Sequence, residues 1–128
     1  MTDETEELRM YLVVRGDIEM PLGKALGQAG HGFCTALIQL MVPDGPFIPD
    51  QELVARYYKD NQPKIVVKCK NLAALLRAEQ ECKDANINYF LVTDAGRTHF
   101  PEPTVTCMAI GPCHRSQLPK FIERMQLL

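Results

Sequence analysis

The chain has 128 residues, of which 46% are hydrophobic and 23% charged, with 14 basic and 16 acidic side chains and a formal net charge of -2. This is the length and composition of one globular domain with a core of its own. Four of the acids (Asp3, Glu4, Glu6 and Glu7) fall in the first seven residues, so the body is close to +2, a balance that argues against a strongly basic nucleic-acid-binding surface without excluding a nucleic-acid partner.

Residues 1–8 read as a disordered acidic tail and 9–128 as the folded domain. An acidic, polar start is no signal peptide. Met10-Tyr11-Leu12-Val13-Val14 is apolar, short and rich in β-formers, so it predicts a buried strand with Arg15-Gly16-Asp17 as its exit turn. From Pro21 to Val42 the pattern is helical. Lys24, Gln28, His31, Thr35 and Gln39 recur at steps of four, three, four and four, which stacks them on one face. Residues 25–42 contain no charged side chain, but a lipid-facing helix would not carry such a polar stripe. We therefore expect a buried helix whose stripe lines a cleft. Gly27, Gly30 and Gly32 each cost that helix roughly 1 kcal/mol relative to Ala. Close packing or close approach of a ligand would offset that cost, and for Gly27 we expect packing.

Pro43-Asp44-Gly45-Pro46 ends the helix. Asp50 is placed to cap a short helix over 51–59, Lys64 to Cys69 is a second strand, and Asn71 is placed to cap a helix to about Ala85. A third strand is expected over Asn88 to Val92. A fourth runs from Thr104 to Ile110 and ends at Gly111-Pro112. A last helix over 115–126 would turn Leu118, Phe121, Ile122 and Met125 inward. The order β-α-α-β-α-β-β-α predicts an α/β single domain with a four-stranded mixed β-sheet and helices on both faces. Helical crossovers favour parallel pairing of strands one to two and two to three, and the short last link favours an antiparallel pair.

The third strand empties into Thr93-Asp94-Ala95-Gly96-Arg97-Thr98-His99, a turn dense in acid, cation, hydroxyl and imidazole groups. Ligands bind where strands of an α/β sheet end at their carboxyl side. The helix carrying Lys24 follows strand one, so Lys24 and Asp94 should meet at one edge. The five cysteines include no C-x-x-C pair, which suggests a reducing compartment and matches no standard zinc site. Gly16 to Gly23-Lys24 is too widely spaced for a phosphate loop, and Ala25 stands where that loop needs Ser or Thr.

Val13-Val14-Arg15-Gly16-Asp17-Ile18, Met20, Gly23-Lys24, Gln28 and His31 resemble the N-terminal half of the type-2 peptidyl-tRNA hydrolases. Gln62-Pro63-Lys64, Asp94-Ala95-Gly96-Arg97-Thr98, Thr104-Val105-Thr106 and Ala109-Ile110-Gly111-Pro112 match later blocks of that family in order and spacing. The resemblance implies metal-independent, cofactor-free hydrolysis of the ester between peptide and tRNA. It implies peptidyl-tRNA as partner, a homodimer, a cytoplasmic location, and neither DNA nor membrane. The chain departs at Met20-Pro21-Leu22-Gly23-Lys24, where the family has Met-Gly-Lys-Gly-Lys, so one cation is lost to Leu22. That loss leaves an alternative open: a non-enzymatic relative acting as a binding module, or a hydrolase of another acyl ester or amide.

Ester hydrolysis needs an activated water and a stabiliser for the tetrahedral oxyanion. Lys24 fits the stabiliser. Asp94 can orient Lys24 or take a proton from water, Thr98 can position that water, and His31 can act as a base or as a hydrogen-bond partner of Asp94. Gln28 is expected to order the site, Gly96 to supply the turn, and Arg97 to contact phosphate or ribose or else to pair with Asp94 or Asp17.

Overall fold

The two most deeply buried strands form the middle of the sheet, because a strand covered on both faces must be apolar on both. In the computed structural model, which describes residues 6–45, 47–97 and 99–128, these are β1 (Leu8–Arg15) and β4 (Thr104–His114), paired antiparallel. β2 (Lys64–Cys69) lies parallel to β1 on its outer side, and β3 (Tyr89–Asp94) lies antiparallel to β4, giving the order β2-β1-β4-β3. Along β1 the side chains alternate as the pleat requires. Leu8, Met10, Leu12 and Val14 pack with Phe33 and Ala36 of α1 (Leu22–Ile38) and Tyr57 of α2 (Gln51–Lys59). Tyr11 and Val13 pack with Leu75, Ala78 and Cys82 of α3 (Leu72–Asp84) and with Leu118 and Ile122 around the short α4 (Lys120–Glu123). Asp50 and Asn71 cap α2 and α3 through the backbone N–H groups of Leu53 and Ala74.

The expected mixed sheet with helices on both faces is the observed architecture, with several corrections. β2 and β3 are not neighbours: β1 and β4 lie between them, so the two outer strands share a direction without pairing. β3 continues to Asp94, which is therefore a strand residue. β4 runs on through Gly111-Pro112 to His114. Gly111 makes this possible at a φ of 103°, where the β1–β4 register shifts between Arg9 and Tyr11, and a Cβ there would sit 2.7 Å from the Arg9 carbonyl oxygen. The expected C-terminal helix is instead a 3₁₀ turn (Arg115–Gln117) and α4, because Pro119 forces Leu118 into an extended conformation. Residues 1–5 of the expected tail lie outside the described residues, but Glu6 accepts hydrogen bonds from Ser116 at 3.0 and 2.8 Å, and Leu8 is fully buried in β1.

The helix α1 is buried only through Gly32, Phe33 and Ala36, while Leu22 and Leu26 near its start and Ile38 at its end are exposed. No helix among the described residues is long and apolar enough to cross a membrane. Of the five cysteines, Cys34 is exposed and the other four are buried, and all are free thiols.

Two outer edges of the sheet are treated differently. The C-terminal residues fold back on β2, where Lys68 N donates to Gln126 O at 2.9 Å, Leu128 N donates to Val66 O at 3.1 Å, and Val67 bridges Leu127. Among the described residues no segment adds to the outer side of β3 in this way.

Packing accounts for one helix glycine only. A Cβ on Gly32 would lie 3.1 Å from Val92 Cγ2 and 3.3 Å from Ala109 Cβ, whereas one on Gly27 or Gly30 would meet nothing within 4 Å. This corrects the expectation for Gly27. It follows that Gly27→Ala raises stability by up to about 1 kcal/mol. Gly32→Ala lowers it by about 1 kcal/mol as crowding outweighs helix propensity. Urea midpoints of the two variants against the parent check both signs.

Candidate active site

β1, β2 and β3 run in the same direction, so their carboxyl ends share one edge of the sheet. The loop after β1 leads there into the first turn of α1, and β3 ends there at Asp94. A lysine in the first turn of a helix opposes the positive end of the helix dipole. Nothing in the first turn of α1 is acidic, so compensation must come from elsewhere. It comes from Asp94: Lys24 Nζ and Asp94 Oδ1 form an ion pair, with the lysine side chain 20% and the carboxylate 7% exposed.

The other carboxylate oxygen is also engaged. Gly96 N donates to Asp94 Oδ2 at 2.9 Å. Gly96 holds a φ of 77°, and a Cβ there would lie 2.3 Å from the Glu102 carbonyl carbon, so the turn that aims this N–H at the carboxylate admits no side chain. The Lys24 ammonium first, and the Gly96 N–H second, hold the Asp94 carboxyl below its ordinary pKa, and the nearby His99 acts in the same sense.

One turn along α1, Gln28 accepts a hydrogen bond at Oε1 from Thr106 Oγ1 at 2.7 Å, and Thr106 is fully buried in β4. Its acceptor is thus fixed to the sheet, and its NH₂ group remains as a donor beside Lys24. The polar stripe of α1 continues to Gln39, whose Nε2 donates to Asn88 Oδ1 at 2.7 Å and to Tyr89 O at 2.6 Å. Gln28 and Gln39 therefore turn toward β3 and β4 from the one face on which the spacing stacks them.

His31 does not join the Lys24–Asp94 pair. It stands seven residues from Lys24, about 10.5 Å along the helix axis. Its exposed ring lies edge-on to Phe90, with centroids 5.5 Å apart. Arg97 is exposed and forms no ion pair among the described residues. Asp17 pairs instead with Arg15 at 2.9 Å, and Asp94 with Lys24, so neither expected salt bridge of Arg97 forms. Thr98 lies outside the described residues. One contact had no signal in the sequence pattern: His99 Nε2 meets Glu19 O at 2.8 Å, fastening the turn after β3 to the loop after β1. Among the described residues no group of three or more His, Cys, Asp or Glu side chains is placed to hold a metal ion.

The Asp94 shift fixes a pH window. A carboxyl whose folded pKa is lowered contributes stability in full above its unfolded pKa of about 3.9, and that stability is lost as pH falls through the lowered value. Replacing Lys24 by Met removes the first cause. The Asp94 carboxyl, followed by carbon NMR, should titrate at higher pH in Lys24→Met than in the parent, and coincident curves would show that the pair does not form in solution.

A family model described as Peptidyl-tRNA hydrolase PTH2 matches residues 8–128. A peptidyl-tRNA hydrolase of Methanopyrus kandleri is 31% identical over 120 residues, covering 94% of this chain and 97% of that protein. One of Saccharolobus islandicus is 29% identical over 121 residues, covering 94% and 99%. A solved structure of a protein of unknown function from Agrobacterium tumefaciens strain C58 aligns with a TM-score of 0.62 at 16% identity, over 95% of this chain and 98% of that one, a likeness of fold alone.

Proposed function

The chain belongs to the peptidyl-tRNA hydrolase PTH2 family and is an enzyme that hydrolyses the ester between peptide and tRNA; on that premise we propose that the Lys24–Asp94 pair is its catalytic centre. The observation that carries this assignment is the ion pair itself, formed between a lysine in an electrostatically unfavourable helix position and a carboxylate already oriented by a backbone N–H.

Water adds to the ester carbonyl, the tetrahedral intermediate collapses, and the C–O bond to the ribose breaks. One proton of the attacking water passes through solvent to the ribose oxygen, which leaves as a hydroxyl, and the other is lost to solvent from the acid formed, so the peptide leaves as a carboxylate. Lys24 Nζ supports the oxyanion, with the Gln28 NH₂ as a second donor. Asp94, held below its ordinary pKa, is a poor proton acceptor. We assign it to orienting Lys24 rather than to taking the proton from water. Thr98 positions the water, a role that rests on the resemblance of Asp94-Ala95-Gly96-Arg97-Thr98 to the family motif. His31 is assigned to the substrate-binding cleft, since its distance along α1 separates it from Asp94.

The tRNA is proposed to lie over the carboxyl ends of β1 and β2. A cleft of about 440 Å³ there is lined by Lys68, Lys70 and Arg124 with Gly16 and Cys69, and Arg97 is exposed after β3. These cations offset the one missing at Leu22, which is 76% exposed at the start of α1. We also propose a homodimer, with the exposed Leu22 and Leu26 at the start of α1 as the apolar surface a second copy covers; sedimentation velocity reporting a monomer at micromolar concentration would remove it. A cytoplasmic location follows from the substrate, and cell fractionation checks it.

With an N-blocked aminoacyl-tRNA as substrate, Lys24→Ala and Asp94→Ala should each lower kcat by about a hundredfold or more. Their circular dichroism should match the parent's. Full turnover by either folded variant would displace the assignment. Substituting Lys68 and Lys70 together by Ala should raise KM more than it lowers kcat. It should also make the dependence of log(kcat/KM) on log salt shallower by about 1.5.

A further inference from the structure

The catalytic pair handles an ester, but the acyl half of the substrate is a peptide, and the feature every peptide presents is its main chain. We propose that the open edge of β3 is that site, and that the peptide of peptidyl-tRNA adds to it as a parallel fifth strand whose C-terminal residue reaches Lys24 and Asp94. This inference rests on the hydrolase reading above.

Three observations support it. β3 is an outer strand, and the opposite outer strand, β2, has its own edge covered by residues 126–128. An uncovered strand edge invites association with other chains, so one left open beside a catalytic site calls for a ligand.

The second observation is the direction of the open peptide groups. Asn88 O accepts from Gly111 N at 2.8 Å, so Asn88 faces β4, and with the observed register Phe90 and Val92 do the same. Tyr89 and Leu91 therefore turn their N–H and C=O groups outward. The Gln39 amide already occupies the Tyr89 carbonyl oxygen. That leaves Leu91 and, by the same alternation, Thr93 as the residues between Tyr89 and the catalytic end that turn both groups outward, neither of them with a main-chain partner on that side among the described residues. Leu91 precedes Asp94 by three residues, about 10 Å of strand. A peptide seated there needs about three residues to reach the ester.

The third observation is the surface beside that edge. A groove of about 610 Å³ is lined by Phe47, Ile48, Tyr89, Phe90 and Leu91, with Gln39, Glu79 and Lys83 among its polar members. Ile48 is 88% exposed, and Phe47 lies edge-on to Tyr89 at 5.4 Å. Such a groove receives side chains of varied shape, while the strand edge supplies sequence-independent bonds. The direction is also set by the chemistry. The peptide is joined to tRNA at its carboxyl end, and β3 runs toward Asp94, so the added strand must be parallel to β3.

The test uses the full chain and peptidyl-tRNAs that carry one, two, three or five N-blocked residues. Hydrolysis of the one-residue substrate tests the enzyme reading alone. If the edge is used, kcat/KM rises by about tenfold between one and three residues, the worth of one or two main-chain bonds, and levels off beyond that. Moving a single N-methyl group along the three-residue peptide should find a position that abolishes the gain, while Ala-to-Val changes at the same positions should not. In Ile48→Asp the three-residue to one-residue ratio should fall toward one. Turnover of the one-residue substrate with no gain from length, or a gain that no N-methyl position removes, would overturn the subsite and leave the hydrolase reading intact. Absence of turnover on every substrate would overturn both.

Discussion

The ion pair between Lys24 and Asp94 is the contact on which the arrangement of this site depends. It joins the helix that follows β1 to the end of β3, two strands that have no contact through the sheet because β4 lies between them. Neither partner is at ease alone. Lys24 stands at the positive end of a helix, and Asp94 is largely withdrawn from water. Each relieves the other, and both carboxylate oxygens are engaged, one by the ammonium and one by Gly96 N. A cation held in this way cannot turn freely into solvent, so in the role proposed for it little reorganisation is needed as charge develops on the ester carbonyl oxygen.

Three further contacts keep this pair in register. The Glu19–His99 bond fastens the two loops, the Gln28–Thr106 bond fixes the next turn of α1 to the centre of the sheet, and Gln39 ties the far end of the same helix to Asn88 and Tyr89. The sheet-facing side of α1 is thus held by polar bonds at both ends and by Gly32, Phe33 and Ala36 in the middle. The two ends of the substrate differ as much as the two sides of this site. Cations gather over the ends of β1 and β2, and apolar side chains gather beside β3.

Much of the fold was legible in the sequence. Apolar runs of strand length, helix periods and the Asp50 and Asn71 caps placed the elements, because these signals act within a few residues. The errors came where a distant contact overrides a local rule. Gly111-Pro112 should stop a strand, yet the pairing of Cys113 and His114 with Arg9 and Leu8 and the bond to Asn88 carry β4 past it. Pro119 splits a helix that the apolar spacing alone made continuous, although Leu118 and Ile122 are buried as that spacing required. The meeting of Lys24 with Asp94 and the shared helix face of Lys24 and Gln28 were legible from residue types and spacing. The separation of His31 from Asp94 was not, since the stripe gives the helix face but not how far along the sheet edge each turn falls.

By itself the sequence determined the family, the α/β architecture and which residue types stand at the carboxyl edge. Composition, periodicity and motif order are properties of neighbours in the chain. Tertiary structure alone decided that β4 separates β1 from β3, that the C-terminal residues cover the edge of β2 while that of β3 stays open, and that Asp94 is held by Lys24 rather than by Arg97. Each of these choices sets one surface against another far away in the chain. Pairing of that kind is fixed by burial and by satisfaction of polar groups across the whole domain, which no local pattern encodes.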